Sequence, residues 1–146
     1  MVVRIFKWVL LAVILIQLIP YGRMHTNPPD TGEPVWDSPN TKALIRRACF
    51  DCHSNETVWP WYSNVAPMSW LVQRDVNGGR THLNFTEWSH PQRHAGDVAG
   101  QVKQGDMPPW FYLPMHPAAR LTDAEKQALM DGAEKSLGNQ KAPEAH

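Results

Sequence analysis

Residues 48–55 read ACFDCHSN, and no other stretch constrains the chain as much. Cys49 and Cys52 are the only cysteines, and His53 follows the second directly. Four chemistries use such a pair. A redox dithiol of the thioredoxin kind needs a strand leading into it within a βαβ unit. Here a helical pattern leads in, and the chain shows no convincing strand. A zinc site needs about four thiolate or imidazole ligands, and the neighbours Cys52 and His53 are poorly placed to share one tetrahedral ion. A plain Cys49–Cys52 disulfide is the third reading. The fourth is covalent attachment of haem, which Cys-x-x-Cys-His signals. Its spacing has a physical logic. Two thiols add to the vinyl groups on one porphyrin edge, and the imidazole after the second thiol is placed to reach the iron. This reading uses both cysteines and is the favoured one.

That attachment chemistry belongs outside the cytoplasm, and the N-terminus bears on this. MVVRIFKWVLLAVILIQLIPYGR is apolar from Trp8 to Ile19 except for Gln17, with Arg4 and Lys7 ahead. No small-x-small cleavage site follows, so an uncleaved anchor over residues 1–20 is expected rather than a removed signal. Counted from Val2 with the two basic side chains snorkelling, the stretch just meets a bilayer core of about 30 Å. The charges ahead of it orient the N-terminus to the cytoplasm and the rest outside. Thiols there tend to be bonded to something.

Residues 21–38 hold several prolines and no hydrophobic period, and read as an extended linker. A folded domain is expected over 39–137 and a flexible tail over 138–146. Ser38-Pro39 starts a helix running to about Ala48. An aromatic loop follows over 54–66. A second helix begins at Pro67 and stops at Asn77-Gly78-Gly79. Asn84 caps a short helical turn through FTEW. A third helix covers 95–104 and ends at Gly105, and a Pro-rich loop runs to Arg120. The last helix opens on the capping box Thr122-x-x-Glu125. Leu121, Ala124, Ala128, Leu129 and Gly132 form a narrow face suited to close helix packing. The fold class expected is all-α: a small helical domain around a covalent haem, preceded by one transmembrane helix.

A haem held by His53 wants a second axial ligand, and a soft thioether there favours ferrous iron. Met107, in the Gly-Asp-Met-Pro-Pro loop, is the leading candidate. Met115 and His116 lie in the same loop, and Met68, the other histidines or an open site remain.

With these residues in place the chain resembles the monohaem cytochromes c, and more narrowly the bacterial haem-binding domain family with an N-terminal anchor. The likeness is carried by QLIPYGRMHTNPP, CFDCHSNETVWPWYSNVAPMSWLV, GGRTHLNFTEW and GDMPPWFYLPMHPAARLTDAE, within residues 17–125. It implies Cys49 and Cys52 as thioether sites, His53 as proximal ligand and, by analogy with Met-Pro loops, Met107 as distal ligand. It also implies that the domain's first and last helices cross near the haem edge.

Trp59, Trp61 and Tyr62 follow His53 closely and are expected to wall the cofactor, while Trp110, Phe111 and Tyr112, after the ligand loop, are candidates to line its distal side or to present a docking surface. Trp70, Arg74 and Arg80 are candidates to meet its propionates. Lys plus Arg and Asp plus Glu number 14 each, which argues against a nucleic-acid partner. The expected function is an electron carrier rather than an enzyme: one covalent haem c, on a single-pass anchor in the bacterial inner membrane, with the domain in the periplasm. Redox proteins or a respiratory complex would be its partners. The competing readings are a haem-bearing accessory subunit of a membrane complex, and a haem sensor or peroxidase-like protein with a labile distal site.

Overall fold

Ser38 opens the domain because its hydroxyl accepts the amide of Thr41 at 3.2 Å while Pro39 occupies the first helical position. The computed structural model describes residues 1–138. Its helices are α1 (Val2–Ile16), α2 (Pro39–His53), α3 (Met68–His82), α4 (Val98–Gln104) and α5 (Asp123–Leu137), with 3-10 turns at Trp61–Asn64, Ala95–Asp97 and Pro117–Ala119. The described residues hold no strand, only an isolated bridge between Gly32 and Glu87, so the domain is all-α.

The helix α2 runs five residues past the expected end at Ala48. Phe50 explains the extension: it is buried and stacks on Phe85 with ring centroids 5.6 Å apart, so the last turn has its own packing. Ser54 then ends the helix in extended backbone. The consequence is functional. On a helix, positions i, i+3 and i+4 share a face, so Cys49, Cys52 and His53 project from one side of α2.

The helix α3 continues through Asn77-Gly78-Gly79, where a stop was expected, and ends at Leu83. Two glycines cost a helix about 1 kcal/mol each, and helix packing overrides that cost. A Cβ at Gly79 would lie 2.3 Å from the Cys52 carbonyl oxygen, so only glycine lets α3 approach the last turn of α2. Similarly, a Cβ at Gly132 would lie 2.0 Å from Thr41 Oγ1, and α5 meets α2 there. The capping box of α5 is formed in both directions between Thr122 and Glu125. Gly105 closes α4 with φ of 81°, a left-handed cap that glycine adopts without strain.

The core lies between α2, α4 and α5, around Ile45, Phe85, Leu129 and Leu137, each at most 1 % exposed. Burying such side chains contributes about 1.5–3 kcal/mol apiece. FTEW forms turns instead of the helical turn expected there. Asn84 does make the capping bond, its Oδ1 accepting from Thr86 N at 3.1 Å while its amide donates to Asn55 Oδ1 at 2.8 Å, but no helical turn follows it.

The Pro-rich segment before α2 is extended, and it lies along the domain. Thr31 N donates to Thr86 O at 2.8 Å, and Trp88 N to Gly32 O at 3.0 Å. His25 stacks on Trp59 at 4.8 Å.

The expected membrane-spanning helix over residues 1–20 is not reached. The helix α1 has 15 residues, about 22 Å at the usual rise, and no helix of the described residues is long and apolar enough to cross a membrane. Gln17 is the physical reason: its amide turns back to Val13 O and to the backbone of Ala66, closing the helix against the domain. The expected tail at 138–146 falls, from residue 139 onward, outside the described residues.

Candidate functional site

The last turn of α2, the glycine face of α3, and the loop after α4 line an open cavity of about 800 Å³. Cys49, Cys52 and His53 line it from α2, Gly78, Gly79 and His82 from α3, and Met107, Phe111 and Tyr112 from the loop. Leu83, Phe85, Val98 and Val102 make its apolar wall. Four sequence-predicted residues, Cys49, Cys52, His53 and Met107, are therefore brought to one cavity.

The two cysteines are free thiols, neither disulfide-bonded. Burial pushes both up to about 12, and at Cys52 the nearby Asp75 and Asp51 carboxylates add to it. They are protonated thiols at neutral pH, unlike a redox dithiol, whose nucleophile is held as thiolate. No group of three or more His, Cys, Asp or Glu among the described residues is placed to hold a metal ion. His53 Nδ1 hydrogen-bonds the Leu83 carbonyl at 3.0 Å. A ring nitrogen held by a carbonyl is N–H, which leaves Nε2 as a lone pair. Burial lowers the pKa of His53, so the imidazole is neutral.

The other candidates lie elsewhere. Trp59, Trp61 and Tyr62, expected to wall the cofactor, do not line the cavity. Trp59 is held by His25 and by Asn27, which accepts its indole N–H at 3.1 Å. Trp61 is 75 % exposed. Tyr62 packs beside His116, its hydroxyl 3.3 Å from His116 Nε2. Phe85, Phe111 and Tyr112 are the aromatic lining instead. Their distance from the motif in sequence hid Phe85, whereas Phe111 and Tyr112 follow Met107 closely. Met115 and Met68 are exposed and line no part of the cavity. His116 has both ring nitrogens engaged, Nδ1 with Tyr112 O at 3.1 Å and Nε2 with Tyr62. His82 and His94 reach the cavity wall, which the motif alone did not indicate.

Of the three propionate candidates, only Arg74 lines the cavity. Arg80 is consumed by bonds to Ser54 O, Thr26 O, Asn27 and Thr57, stitching the loop and the Pro-rich segment to α3.

The residues present suit a haem. The volume lies within the range of about 300–1,000 Å³ usual for cofactor-sized pockets. A Cβ at Gly78, on the cavity wall, would meet no atom within 4 Å, so the glycine leaves that wall open. Two thiols and one neutral imidazole share a helix face beside this space, and a thioether comes from the opposing loop.

An all-helical domain with such a cavity has the features that a haem-binding protein requires. The chain belongs to the haem-binding domain family, whose model matches residues 11–135. No match was found among curated proteins or among solved structures.

Proposed function

We propose that the protein is a monohaem c-type cytochrome, held at the bacterial inner membrane by α1, that carries single electrons outside the cytoplasm. The observation that carries this reading is the presence of Cys49, Cys52, His53 and Met107 on the walls of one cavity.

Cys49 and Cys52 would hold the haem through thioethers, His53 through Nε2, and Met107 through its sulfur. When bound, haem supplies a one-electron Fe(III)/Fe(II) couple. The protein does the rest. The Leu83 carbonyl fixes the His53 tautomer and so keeps Nε2 free. Leu83, Phe85, Val98 and Val102 exclude water, which raises the cost of the extra positive charge on the oxidised site. Met107, followed by two prolines, sits in a stiff loop suited to holding a weak sulfur–iron bond. Partners are redox proteins or a respiratory membrane complex, and no catalytic chemistry is assigned to the chain.

The test is an optical spectrum of protein expressed with haem-attachment machinery, oxidised and reduced, for wild type and Met107→Ala. Covalently held low-spin haem with a sulfur-to-iron band in the far red, lost in the variant, is the expected result. If the wild type lacks the band, or the variant keeps it, Met107 is not the ligand. His82 and His94 would then be the imidazoles to substitute next.

A further inference from the structure

We infer that the corner where residues 17–22, directly after α1, pack against Ala66 and the start of α3 rests in the headgroup layer of a bilayer, so that the domain is held in one orientation instead of swinging on a leash. This rests on reading α1 as a membrane helix.

Two features of α1 commit the occupant to lipid. The helix has no buried residue, and from Val2 to Ile16 only Arg4 and Lys7 interrupt its apolar character. A protein groove covers one stripe of a helix; a helix apolar on all sides calls for a surrounding apolar medium. In addition, Arg4, Lys7 and Arg23 are the charged residues before Asp30, with no acid among them, which suits anionic headgroups.

The joint between α1 and the domain is built, not loose. The Gln17 amide makes a two-way pair with the backbone of Ala66: Nε2 donates to Ala66 O at 2.9 Å, and Ala66 N donates to Oε1 at 3.0 Å. Arg23 Nη2 donates to the same Oε1 at 3.1 Å. Gly22, at φ of 80°, packs so closely that a Cβ would lie 2.1 Å from the Ser69 carbonyl oxygen. A chain pinned to the domain at 17 and 22, and braced across itself by Arg23, gives the domain no free swivel.

Whatever surrounds this joint must therefore lie at the depth of the C-terminal end of α1. What surrounds it is apolar and exposed. Val65 is 45 % exposed, Met68 41 %, Leu71 46 % and Trp61 75 %. Met68 and Leu71 are one turn apart on the same face of α3. Tyr21, half-exposed, belongs to the same corner, and Trp and Tyr favour the headgroup level of a membrane.

The test uses the haem-loaded full chain with vesicles of three parts phosphatidylethanolamine to one part phosphatidylglycerol. Side-chain oxidation by hydroxyl radicals from water radiolysis is read by mass spectrometry. On vesicle binding, Trp61 and Met68 should lose oxidation several-fold, while Met130 on α5 keeps its rate. Gln17→Ala should still bind vesicles, but Trp61 and Met68 should regain most of their oxidation. If the full chain does not bind vesicles, the membrane reading of α1 falls and this inference with it. If it binds with Trp61 and Met68 unprotected, α1 remains a membrane helix and the fixed orientation is overturned. Full protection in Gln17→Ala would also overturn it, because the joint would then not set the orientation.

Discussion

The phenol of Tyr112 donates a 2.6 Å hydrogen bond to Oδ2 of Asp51, the residue between Phe50 and Cys52. The loop that carries Met107 is thereby tied to the helix turn that carries both thiols. The tie is reinforced: the Tyr112 ring stacks on His116 at 3.7 Å, and Asp51 Oδ1 accepts Val58 N at 3.1 Å. Burial, with the Asp51 bond and its charge, pushes the Tyr112 phenol well above its ordinary value, so it remains a donor throughout the usual pH range. Tyr112→Phe removes one hydrogen bond to a charged group and should lower stability by about 1.5 kcal/mol. The urea midpoint should fall with an unchanged slope. In the haem-loaded protein, the far-red sulfur–iron band should weaken as well. Lost stability with an intact band would mean that the tie holds the fold without positioning Met107.

Covalent attachment makes a sharper prediction for the thiols. Cys49→Ala and Cys52→Ala each leave one cysteine on the cavity wall, and each should retain some haem through denaturation. The double variant should retain none on a denaturing gel stained for haem peroxidase activity. Haem surviving on the double variant would exclude thioether attachment at these positions.

How much of this was legible in the sequence depended on range. The capping box of α5 is local, because Thr122 and Glu125 are three residues apart and satisfy each other. The placement of Cys49, Cys52 and His53 on one face needs only their spacing and a helix. The continuation of α3 past Gly78 and Gly79 was not legible, because its cause is the Cys52 carbonyl, more than twenty residues earlier. The aromatic string after His53 turns away from the cavity for a similar reason. His25 and Asn27 hold Trp59 from the Pro-rich segment, and His116 holds Tyr62 from the far loop. The 15-residue extent of α1 traces to Gln17, a polar residue visible in the sequence whose partner, Ala66, was not.

Acid should loosen the start of α5. Glu125 is lowered from 4.5 to about 2, first by the Thr122 amide and then by Arg47 and the Thr122 hydroxyl. A carboxylate whose folded pKa lies below its unfolded value stabilises the fold above the unfolded pKa, and that contribution disappears as pH falls through the folded one. Glu125 therefore contributes fully above about pH 4.5, and the contribution fades progressively toward pH 2. Glu125→Gln should flatten that part of the stability–pH curve, measured by urea midpoints. An unchanged acid limb in the variant would assign the effect to other carboxylates, with Glu33, also lowered, the next to substitute.

The adjacent glycines of α3 should respond in opposite ways. A Cβ at Gly79 would press on the Cys52 carbonyl at 2.3 Å, so Gly79→Ala must push α3 off α2. Overpacking of that kind costs about 1–3 kcal/mol, more than alanine gains in helix propensity. Gly78 borders the cavity, and a Cβ there meets nothing within 4 Å. Gly78→Leu should therefore leave the unloaded protein as stable or slightly more so, by up to about 1 kcal/mol. Its side chain adds bulk at the cavity wall, so haem loading should fall several-fold. Helical content by circular dichroism and the haem-to-protein ratio separate the two effects. Normal haem loading in Gly78→Leu would mean that the cofactor does not approach this wall, and the site would have to be redrawn toward the Phe111 side of the cavity.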